Sequence, residues 1–318
     1  MESNAAATVE QRTGELYGGL WVRYDDKLFK DSVALFEKRW SANGEPADFF
    51  VGKRCLDVGC GGGRYSIAMS MMGAESVVGV DVSETGIQDA ARRAEALGMA
   101  AVSFRQATAL QLPFADAEFD FVCCSGVLHH TASVERGMAE IYRVLKPGGS
   151  VYLLLYGAGG LFWTSNYVMR AFAKLAGHDE MEHCVEQAGY AVNRRRAVLD
   201  DLFVPILETY PEERVDRMLG NTGFREWRRW KTGNMDHENN PSSMLDELES
   251  RALLWQAGCR TSTDPVGALA EKHAAAVIEA VIASVRGLIA AEQRGTISME
   301  QLREAVIGHG HHRLIAVK

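Results

Sequence analysis

Between residues 54 and 156, short apolar runs alternate with helix-forming segments, and this alternation restricts the fold more than any other feature. Each apolar run is too short to be a helix. The first two end at glycine or aspartate: residues 54–58 at the glycines that follow, and residues 76–80 at Asp81. Strands that are separated by whole helices run parallel, with the helices packed on both faces of the sheet. The sequence therefore predicts an α/β fold built on a mostly parallel, doubly covered sheet.

The individual elements of this region follow from β-branched runs, helical spacing and glycine or proline stops. The predicted strands are residues 54–58, 76–80, 102–106, 119–125 and 150–156. The predicted helices are residues 64–72, 84–97 and 133–145, with a turn at 146–149.

Composition and charge narrow the class of partner. The chain has 318 residues and a net charge of −8, whereas nucleic-acid binders usually carry a basic patch or stripe. Two short basic clusters, at 194–196 and 225–231, are interpreted as a solvated face or an edge strand rather than an RNA groove. We therefore expect no nucleic-acid partner.

The six cysteines form no Cys-x-x-Cys pair, so they are interpreted as reduced, buried thiols and no metal site is predicted. The first 14 residues are polar and Ala-rich and are expected to be a disordered lead without an apolar signal core. No apolar run approaches 18 residues, so no membrane-spanning segment is expected. These features predict a cytoplasmic protein.

A glycine-rich turn follows the first strand, in the segment Leu56-Asp57-Val58-Gly59-Cys60-Gly61-Gly62-Gly63-Arg64. Glycines there permit a tight turn and the close approach of a ligand to the backbone. A dinucleotide-binding Gly-x-Gly-x-x-Gly would need glycine at Arg64, or at Ser66 if it began at Gly61. A dehydrogenase is therefore disfavoured.

The pattern Asp57-x-Gly59-x-Gly61-x-Gly63 resembles the first motif of the class I, Rossmann-like methyltransferases that use S-adenosylmethionine, and the chain resembles their UbiE-like small-molecule group. The resemblance implies S-adenosylmethionine as cofactor, bound through Asp57, Gly59, Cys60, Gly61 and Gly63. It also implies a seven-stranded sheet in which the last, antiparallel strand lies between strands five and six.

Asp81 ends the second predicted strand, where a carboxylate can accept two hydrogen bonds from a ribose diol. The alternative is that Asp81 caps the helix that follows. The resemblance favours the ribose, with Val82 beside it.

Residues 106–114 resemble the family's adenine-contacting loop, which assigns Thr108, Ala109 and Leu110 to the cofactor. Thr108 stands where the family commonly has aspartate. A hydroxyl can still bond the adenine amino group, and the N–H of Ala109 can meet a ring nitrogen.

The fourth predicted strand ends at Ser125, which is expected to flank the sulfonium of the cofactor, because ligands of open α/β sheets bind beyond the carboxyl ends of the strands. His129 and His130 follow. A general base is needed only if the acceptor arrives protonated, and His130 is the preferred candidate. Hydrogen bonding within the core or loop is the alternative role for both histidines.

The segments outside the core are assigned from their helical spacing and from two capping-box patterns, Thr209-x-x-Glu212 and Ser298-x-x-Gln301. Aromatic residues Tyr17, Trp21 and Tyr24 are candidates to cover the cofactor, and Tyr24 is the one assigned to it. A polar loop at 234–241 is a second candidate acceptor or metal site, with a solvated loop as the alternative.

The predicted organisation has six parts. They are a helical segment over the cofactor site at 1–50, the cofactor-binding core at 51–156, a helical insertion at 157–207, a core helix and strand six at 208–232, a second helical insertion (substrate cap or dimer arm) at 233–307, and the last strand at 308–318.

The function that these residues imply is methyl transfer from S-adenosylmethionine to a small-molecule acceptor by in-line displacement. Two alternatives stay open: a methyltransferase that acts on protein or RNA, and a cofactor-binding protein without turnover. We expect no membrane partner, and a homodimer is a further expectation. The acceptor itself cannot be identified from the sequence.

Overall fold

The structure is a computed structural model that describes residues 2–22, 24–190, 192–230, 240–257 and 265–318. The polar loop at 234–241 lies outside the described residues except for its last two positions, and Cys259 lies outside them. The strands are β1 (Arg54–Val58), β2 (Ser76–Asp81), β3 (Val102–Gln106), β4 (Phe119–Ser125), β5 (Leu145–Tyr156), β6 (Glu226–Arg229) and β7 (His311–Val317).

Helices of two kinds flank or follow the strands. Those of the first part of the chain and of the sheet are α1 (Glu2–Trp21), α2 (Asp26–Ala42), α3 (Arg64–Met71), α4 (Glu84–Ala96), α5 (Val134–Val144) and α9 (Glu212–Thr222). Those of the two insertions are α6 (Gly160–Ala176), α7 (His178–Gln187), α8 (Val192–Phe203), α10 (Pro241–Ala257), α11 (Pro265–Gln293) and α12 (Met299–Ile307).

The seven strands form one sheet in the order β3-β2-β1-β4-β5-β7-β6. The pairs from β3 to β5 are parallel, and β7 is antiparallel to both β5 and β6. The predicted α/β class and the position of the last strand are confirmed. Because the chain leaves β1 toward β2 and later returns to β4 on its other side, the crevice for a ligand is expected beyond the carboxyl ends of β1 and β4.

Both faces of the sheet are buried, which explains the continuous apolar runs of its strands. Leu56 and Val58 of β1 belong to one core cluster, whereas Cys55 belongs to the cluster on the opposite face. Five free cysteines are found among the described residues, and all five are buried. They are the small apolar fillers that the sequence predicted.

The chain divides into two compact units. The first contains Met1–Tyr156, Pro205–Asn234 and His311–Lys318, and therefore the whole sheet. The second contains Gly157–Val204 and Met235–Gly310, and its described elements are all helices. Within it, the buried Arg170 donates a 2.7 Å hydrogen bond to the carbonyl of Val204, which ties α6 to the end of the first insertion.

Three local predictions need correction. Residues 2–14 are the first part of helix α1 rather than a disordered lead. Strand β5 already begins at Leu145, so the predicted turn lies in a strand whose register shifts opposite Phe119 and Phe121. The N-cap of α9 is Pro211, with no side-chain cap, so the capping box at Thr209 is wrong, whereas the one at Ser298 is confirmed.

The basic cluster on β6 is paired with carboxylates. Arg229 lies 2.7 Å from Asp216, and Arg228 pairs with the buried carboxylate of Glu45. Trp227 and Trp230 donate their indole N–H groups to the same two acids. The part of the cluster in β6 is therefore an edge strand whose two arginines are paired with acids, in agreement with the interpretation from the sequence.

One helical stretch in the described part of the chain, Lys272–Gln293 of α11, is long and apolar enough to cross a membrane, with a mean hydropathy of 1.8. That the chain has no membrane-spanning segment stays a prediction. The stretch carries Glu279 and Arg286, and 28% of its window is buried. Length and composition alone do not place such a helix in a membrane.

Candidate functional site

A cavity that opens to solvent lies in the unit that contains the sheet. Residues from the turns after β1, β2, β3 and β4 and from one face of α1 line it. The lining residues are Glu10, Thr13, Gly14, Tyr17, Gly59, Asp81, Val82, Ala107, Thr108, Ala109, Ser125, Gly126, Val127, His130 and Thr131. Seven predicted site residues therefore meet in one place: Gly59, Asp81, Val82, Thr108, Ala109, Ser125 and His130.

The glycine-rich turn brings its backbone against this cavity. Gly59 has a φ of +69°, and its N–H donates to the carbonyl of Val80 at 2.7 Å. A Cβ at this position would come 2.2 Å from Cγ2 of Val127, which follows β4. Glycine is therefore required at position 59 for two reasons: the positive φ, and the close approach of the turns after β1 and β4.

The two requirements can be separated experimentally. Gly98 has nearly the same φ, +68°, but its Cβ would meet nothing within 4 Å. Gly98→Ala should lower the free energy of unfolding by about 1 kcal/mol through conformation alone. Gly59→Ala should lower it by at least ~2 kcal/mol more, because Val127 must move. Urea unfolding of both variants measures the difference, and equal losses would contradict the crowding at Gly59.

Asp81 is held rigidly at the end of β2. One carboxylate oxygen accepts from the N–H of Gly61 at 2.9 Å, and the other accepts from the N–H of Ser83 at 2.8 Å. Burial raises the pKa of Asp81, and these backbone donors partly offset the rise. The N-cap of α4 is Ser83, which accepts from Gly86 N, so Asp81 does not cap that helix with its own side chain.

Asp57 does not line the cavity and lies behind the glycine turn, only 2% exposed. The hydroxyl of Ser66, in α3, donates to its carboxylate at 2.6 Å. Burial raises the pKa of Asp57 to about 6 despite this bond. The hydrogen bond between Ser66 and Asp57 joins the end of β1 to the start of α3.

The raised pKa makes Asp57 a source of pH-dependent stability. The protonated form is favoured in the folded chain, so its contribution is full below the unfolded-state pKa of ~4 and is lost as the pH rises through about 6. Asp57→Asn keeps an acceptor for Ser66 without the charge. Relative to the wild type, its stability should therefore improve by roughly 2–3 kcal/mol between pH 4 and pH 8. Denaturant unfolding at both pH values tests this, and parallel pH profiles would contradict it.

The loop after β3 is held by an ion pair behind it. The carboxylate of Glu140 accepts from the N–H of Leu112 at 2.7 Å, and Arg143 donates to the carbonyls of Leu112 and Phe114. Arg143 also pairs with Glu140 at 2.8 Å, which lowers the pKa of that acid. The segment around Glu140 and Arg143 thus supports the cavity wall rather than the ligand.

Thr108 is the polar side chain that this loop contributes to the cavity. Its hydroxyl oxygen accepts from the N–H of Leu110 at 3.1 Å. Leu110 itself is outside the lining, and its carbonyl accepts from Arg136 at 2.8 Å.

Three predicted residues of the glycine-rich turn also lie outside the lining: Cys60, Gly61 and Gly63. Cys60 packs beside Gly79, and the N–H of Gly61 donates to Asp81. Gly63, with a φ of +80°, is the N-cap of α3.

The two histidines after β4 have different surroundings. His130 lines the cavity, and its Nδ1 lies 2.9 Å from the carbonyl oxygen of Ile206. A carbonyl only accepts, so Nδ1 carries the proton and Nε2 is the basic nitrogen of the neutral ring. His129 is fully buried, with its ring 3.9 Å from that of Tyr156, and burial holds its pKa well below its usual range. His129 is therefore a neutral packing residue.

Helix α1 closes one side of the cavity. Glu10, Thr13, Gly14 and Tyr17 line it at the spacing of a single helical face. A Cβ at Gly14 would lie 3.1 Å from Cγ2 of Val82, so the helix passes directly over the turn after β2. Glu10, Thr13 and Gly14 belong to no sequence motif, and only their helical spacing could have indicated a shared face.

Tyr24, which the sequence analysis assigned to the cofactor, lies outside the cavity. It packs against the core cluster of α2, and its carbonyl accepts from Arg93 at 2.8 Å. Tyr17 contributes an aromatic ring to the cavity, 5.5 Å from the ring of His130. The side chain of Trp21 lies outside the described residues.

Comparison with known proteins places the chain in a family. Residues 56–153 match the family described as a methyltransferase domain. The chain is 33% identical, over 53% of its length and 71% of the relative's, to a ubiquinone biosynthesis O-methyltransferase of Mesorhizobium japonicum. It is 31% identical, over 68% of its length and 86% of the relative's, to a demethylmenaquinone methyltransferase of Deinococcus radiodurans. The chain belongs to the S-adenosylmethionine-dependent methyltransferases.

Similarity to solved structures is low. An S-adenosylmethionine-dependent methyltransferase of Mesorhizobium loti is 17% identical, with a TM-score of 0.43, over 90% of this chain and 96% of that one. The methyltransferase described here is an enzyme that transfers a methyl group from S-adenosylmethionine to a small-molecule acceptor.

The residues present fit that methyl donor. A carboxylate, Asp81, stands at the turn after β2, and a glycine that a Cβ would overfill, Gly59, forms the neighbouring wall. A second carboxylate oxygen, on Glu10, is buried in the wall without a hydrogen-bond partner among the described residues. These acceptors match a cationic ligand that is rich in hydroxyl and amino donors.

Proposed function

We propose that the small-molecule acceptor is an uncharged aromatic compound and that the enzyme methylates one of its hydroxyl groups, with His130 as the general base. The observation that carries the proposal is that His130 and Asp81 line the same cavity. The basic nitrogen of His130 would therefore lie in the same cavity as the carboxylate that would bind the methyl donor. The relatives that are named for ubiquinone and menaquinone biosynthesis support an acceptor of the phenol or quinol class.

The cofactor residues are part of this proposal. Asp81 would accept the ribose hydroxyls, Thr108 and Ala109 would face the adenine, and Gly59 and Ser125 would flank the methionine part of the donor. When bound, S-adenosylmethionine supplies an electrophilic methyl group on a sulfonium sulfur. Asp57, Cys60, Gly61, Gly63 and Leu110 would then act indirectly, by shaping the turns that hold the lining residues.

His130 would remove the proton that makes a hydroxyl a poor nucleophile. Its Nδ1–H bond to Ile206 fixes the ring so that Nε2 can accept a proton. The neighbouring residues would position the acceptor and exclude water. These are the main contributions that a protein makes to methyl transfer by displacement.

The charge of the lining argues for an uncharged acceptor. The described lining residues include Glu10 and Asp81 but no lysine or arginine. The lining would offer the charge of a phosphate or carboxylate acceptor no lysine or arginine partner, and burial of an unpaired charge is unfavourable. The same feature disfavours a nucleic-acid acceptor.

The test is a panel of acceptors assayed with radiolabelled S-adenosylmethionine. Catechol, hydroquinone and alkyl-substituted derivatives should be methylated, whereas 4-hydroxybenzoate and a phosphorylated phenol should react at least ~10-fold more slowly because of their charge. Mass spectrometry of the product should find the methyl group on oxygen. Methylation on carbon, or faster reaction of the anionic acceptors, would refute the proposal.

Cytoplasmic location and a homodimer stay predictions of the sequence. Size-exclusion chromatography with light scattering and fractionation of cells that express the tagged chain would test them. Recovery of the enzyme with membranes would point instead to the apolar stretch Lys272–Gln293.

A further inference from the structure

Glu10 is a polar residue of the cavity that neither the sequence motifs nor the proposed reaction uses. It lines the cavity from helix α1. Its Oε1 atom is shielded from solvent and has no hydrogen-bond partner among the residues that the structure describes. A carboxylate oxygen withdrawn from water without a donor is unfavourable, so a ligand in the cavity is the natural source of that donor.

The register of α1 shows which part of a ligand Glu10 would meet. Tyr17 lies beside His130, and Gly14 lies over Val82, next to Asp81. Glu10 precedes Tyr17 by two helical turns, or about 10 Å along the helix axis. Along α1 the cavity therefore runs from His130, past Asp81, to Glu10.

The methyl donor has its groups in the same order. If the sulfonium lies near His130 and the ribose at Asp81, the adenine lies toward Glu10. The loop at that end contributes Ala107, Thr108 and Ala109, and Gln106 bonds to the carbonyl of Val82 at 2.8 Å. This loop places no carboxylate in the cavity, and the Thr108 hydroxyl oxygen already accepts from Leu110.

We propose that Glu10 accepts a hydrogen bond from the 6-amino group of the adenine, so that helix α1 reads the identity of the base. The proposal rests on the placement of the ribose at Asp81. A carboxylate only accepts, so it binds an amino group and repels the 6-oxo group of hypoxanthine. Glu10 would thus be a specificity-determining residue on a segment far from the sequence motifs of the core.

The experiment compares two ligands by titration calorimetry: S-adenosylhomocysteine and S-inosylhomocysteine, in which the 6-amino group is replaced by oxygen. The wild type should prefer the adenine ligand by ~30-fold or more, since a buried acceptor is left facing an oxo group. Glu10→Gln can donate to the oxo group, so its preference should fall at least ~5-fold. Glu15→Gln, an exposed acid on the same helix, should retain the wild-type preference.

Two outcomes overturn the proposal. An unchanged preference in Glu10→Gln, with α1 intact by circular dichroism, would show that Glu10 does not face the base. A loss of affinity for S-adenosylmethionine but not for S-adenosylhomocysteine would place Glu10 beside the sulfonium charge instead. Failure of the ribose placement is distinguishable, because it would appear as unchanged binding of both ligands to Asp81→Ala.

Discussion

Replacement of His130 with asparagine is expected to lower kcat/KM for a hydroxyl acceptor by ~10²–10⁴-fold, the contribution of a positioned general base. Asparagine is the informative choice because its amide N–H can take the place of Nδ1–H and keep the 2.9 Å bond to the carbonyl of Ile206. The variant lacks a basic nitrogen at the position of Nε2. Steady-state kinetics with the best acceptor of the panel measures the effect.

The pH profile separates a lost base from a damaged site. In the wild type, activity should fall at low pH, because a general base acts only in its unprotonated form. In His130→Asn the remaining rate should rise with pH as the acceptor hydroxyl itself ionises. The dissociation constant of S-adenosylhomocysteine should stay within ~3-fold of the wild-type value. His183→Ala, which changes an exposed histidine of α7, is the control. A loss below tenfold would leave His130 a structural residue.

Asp81→Ala is expected to weaken binding of S-adenosylmethionine by ~5- to 150-fold, which corresponds to roughly 1–3 kcal/mol for hydrogen bonds to a charged acceptor. The same change removes the acceptor of the Gly61 and Ser83 N–H groups, so the ligand-free enzyme should also lose stability. Asp81→Asn keeps one oxygen and should show a smaller loss of affinity. Calorimetry and thermal unfolding measure the two effects separately.

A double-mutant cycle identifies the ligand group. The 2′-deoxy analogue of S-adenosylhomocysteine should bind the wild type more weakly than the parent ligand does, but Asp81→Ala should hardly distinguish the two ligands. Glu84→Gln, an exposed acid in the first turn of α4, is the matched control and should bind as the wild type does. Additive losses would show that the ribose does not meet Asp81.

The sheet and the location of the cavity were predictable from the sequence because their signals are contiguous. Strands β3 and β4 have their predicted bounds, and β2 ends at Asp81 as expected. Each strand is followed by its own turn, and parallel topology brings all these turns to one edge. Glycines and a carboxylate in the right turns are therefore brought together without knowledge of side-chain packing.

Side-chain roles within that edge were less predictable. The pattern around the first turn did not distinguish Gly59, which lines the cavity, from Asp57, which is buried behind it. The two adjacent histidines have different surroundings, although their sequence context is similar. The side chain of His129 lies in the core, whereas that of His130 lines the cavity. Orientation depends on contacts with β5 and with residue Ile206, which are distant in the chain.

By itself, the sequence determined the α/β class and the edge of the sheet at which the cavity lies, since these depend on local turn chemistry and on the rules of chain connection. The position of the last strand followed from the family resemblance. Only the tertiary structure decided that α1 is ordered and that Tyr17, not Tyr24, contributes a ring to the cavity. It alone showed that Glu10 buries a carboxylate oxygen there. The physical reason is that helical spacing reveals which residues share a face, whereas the partner of that face is set by long-range packing, here by Gly14 and Gly18 against the turn after β2.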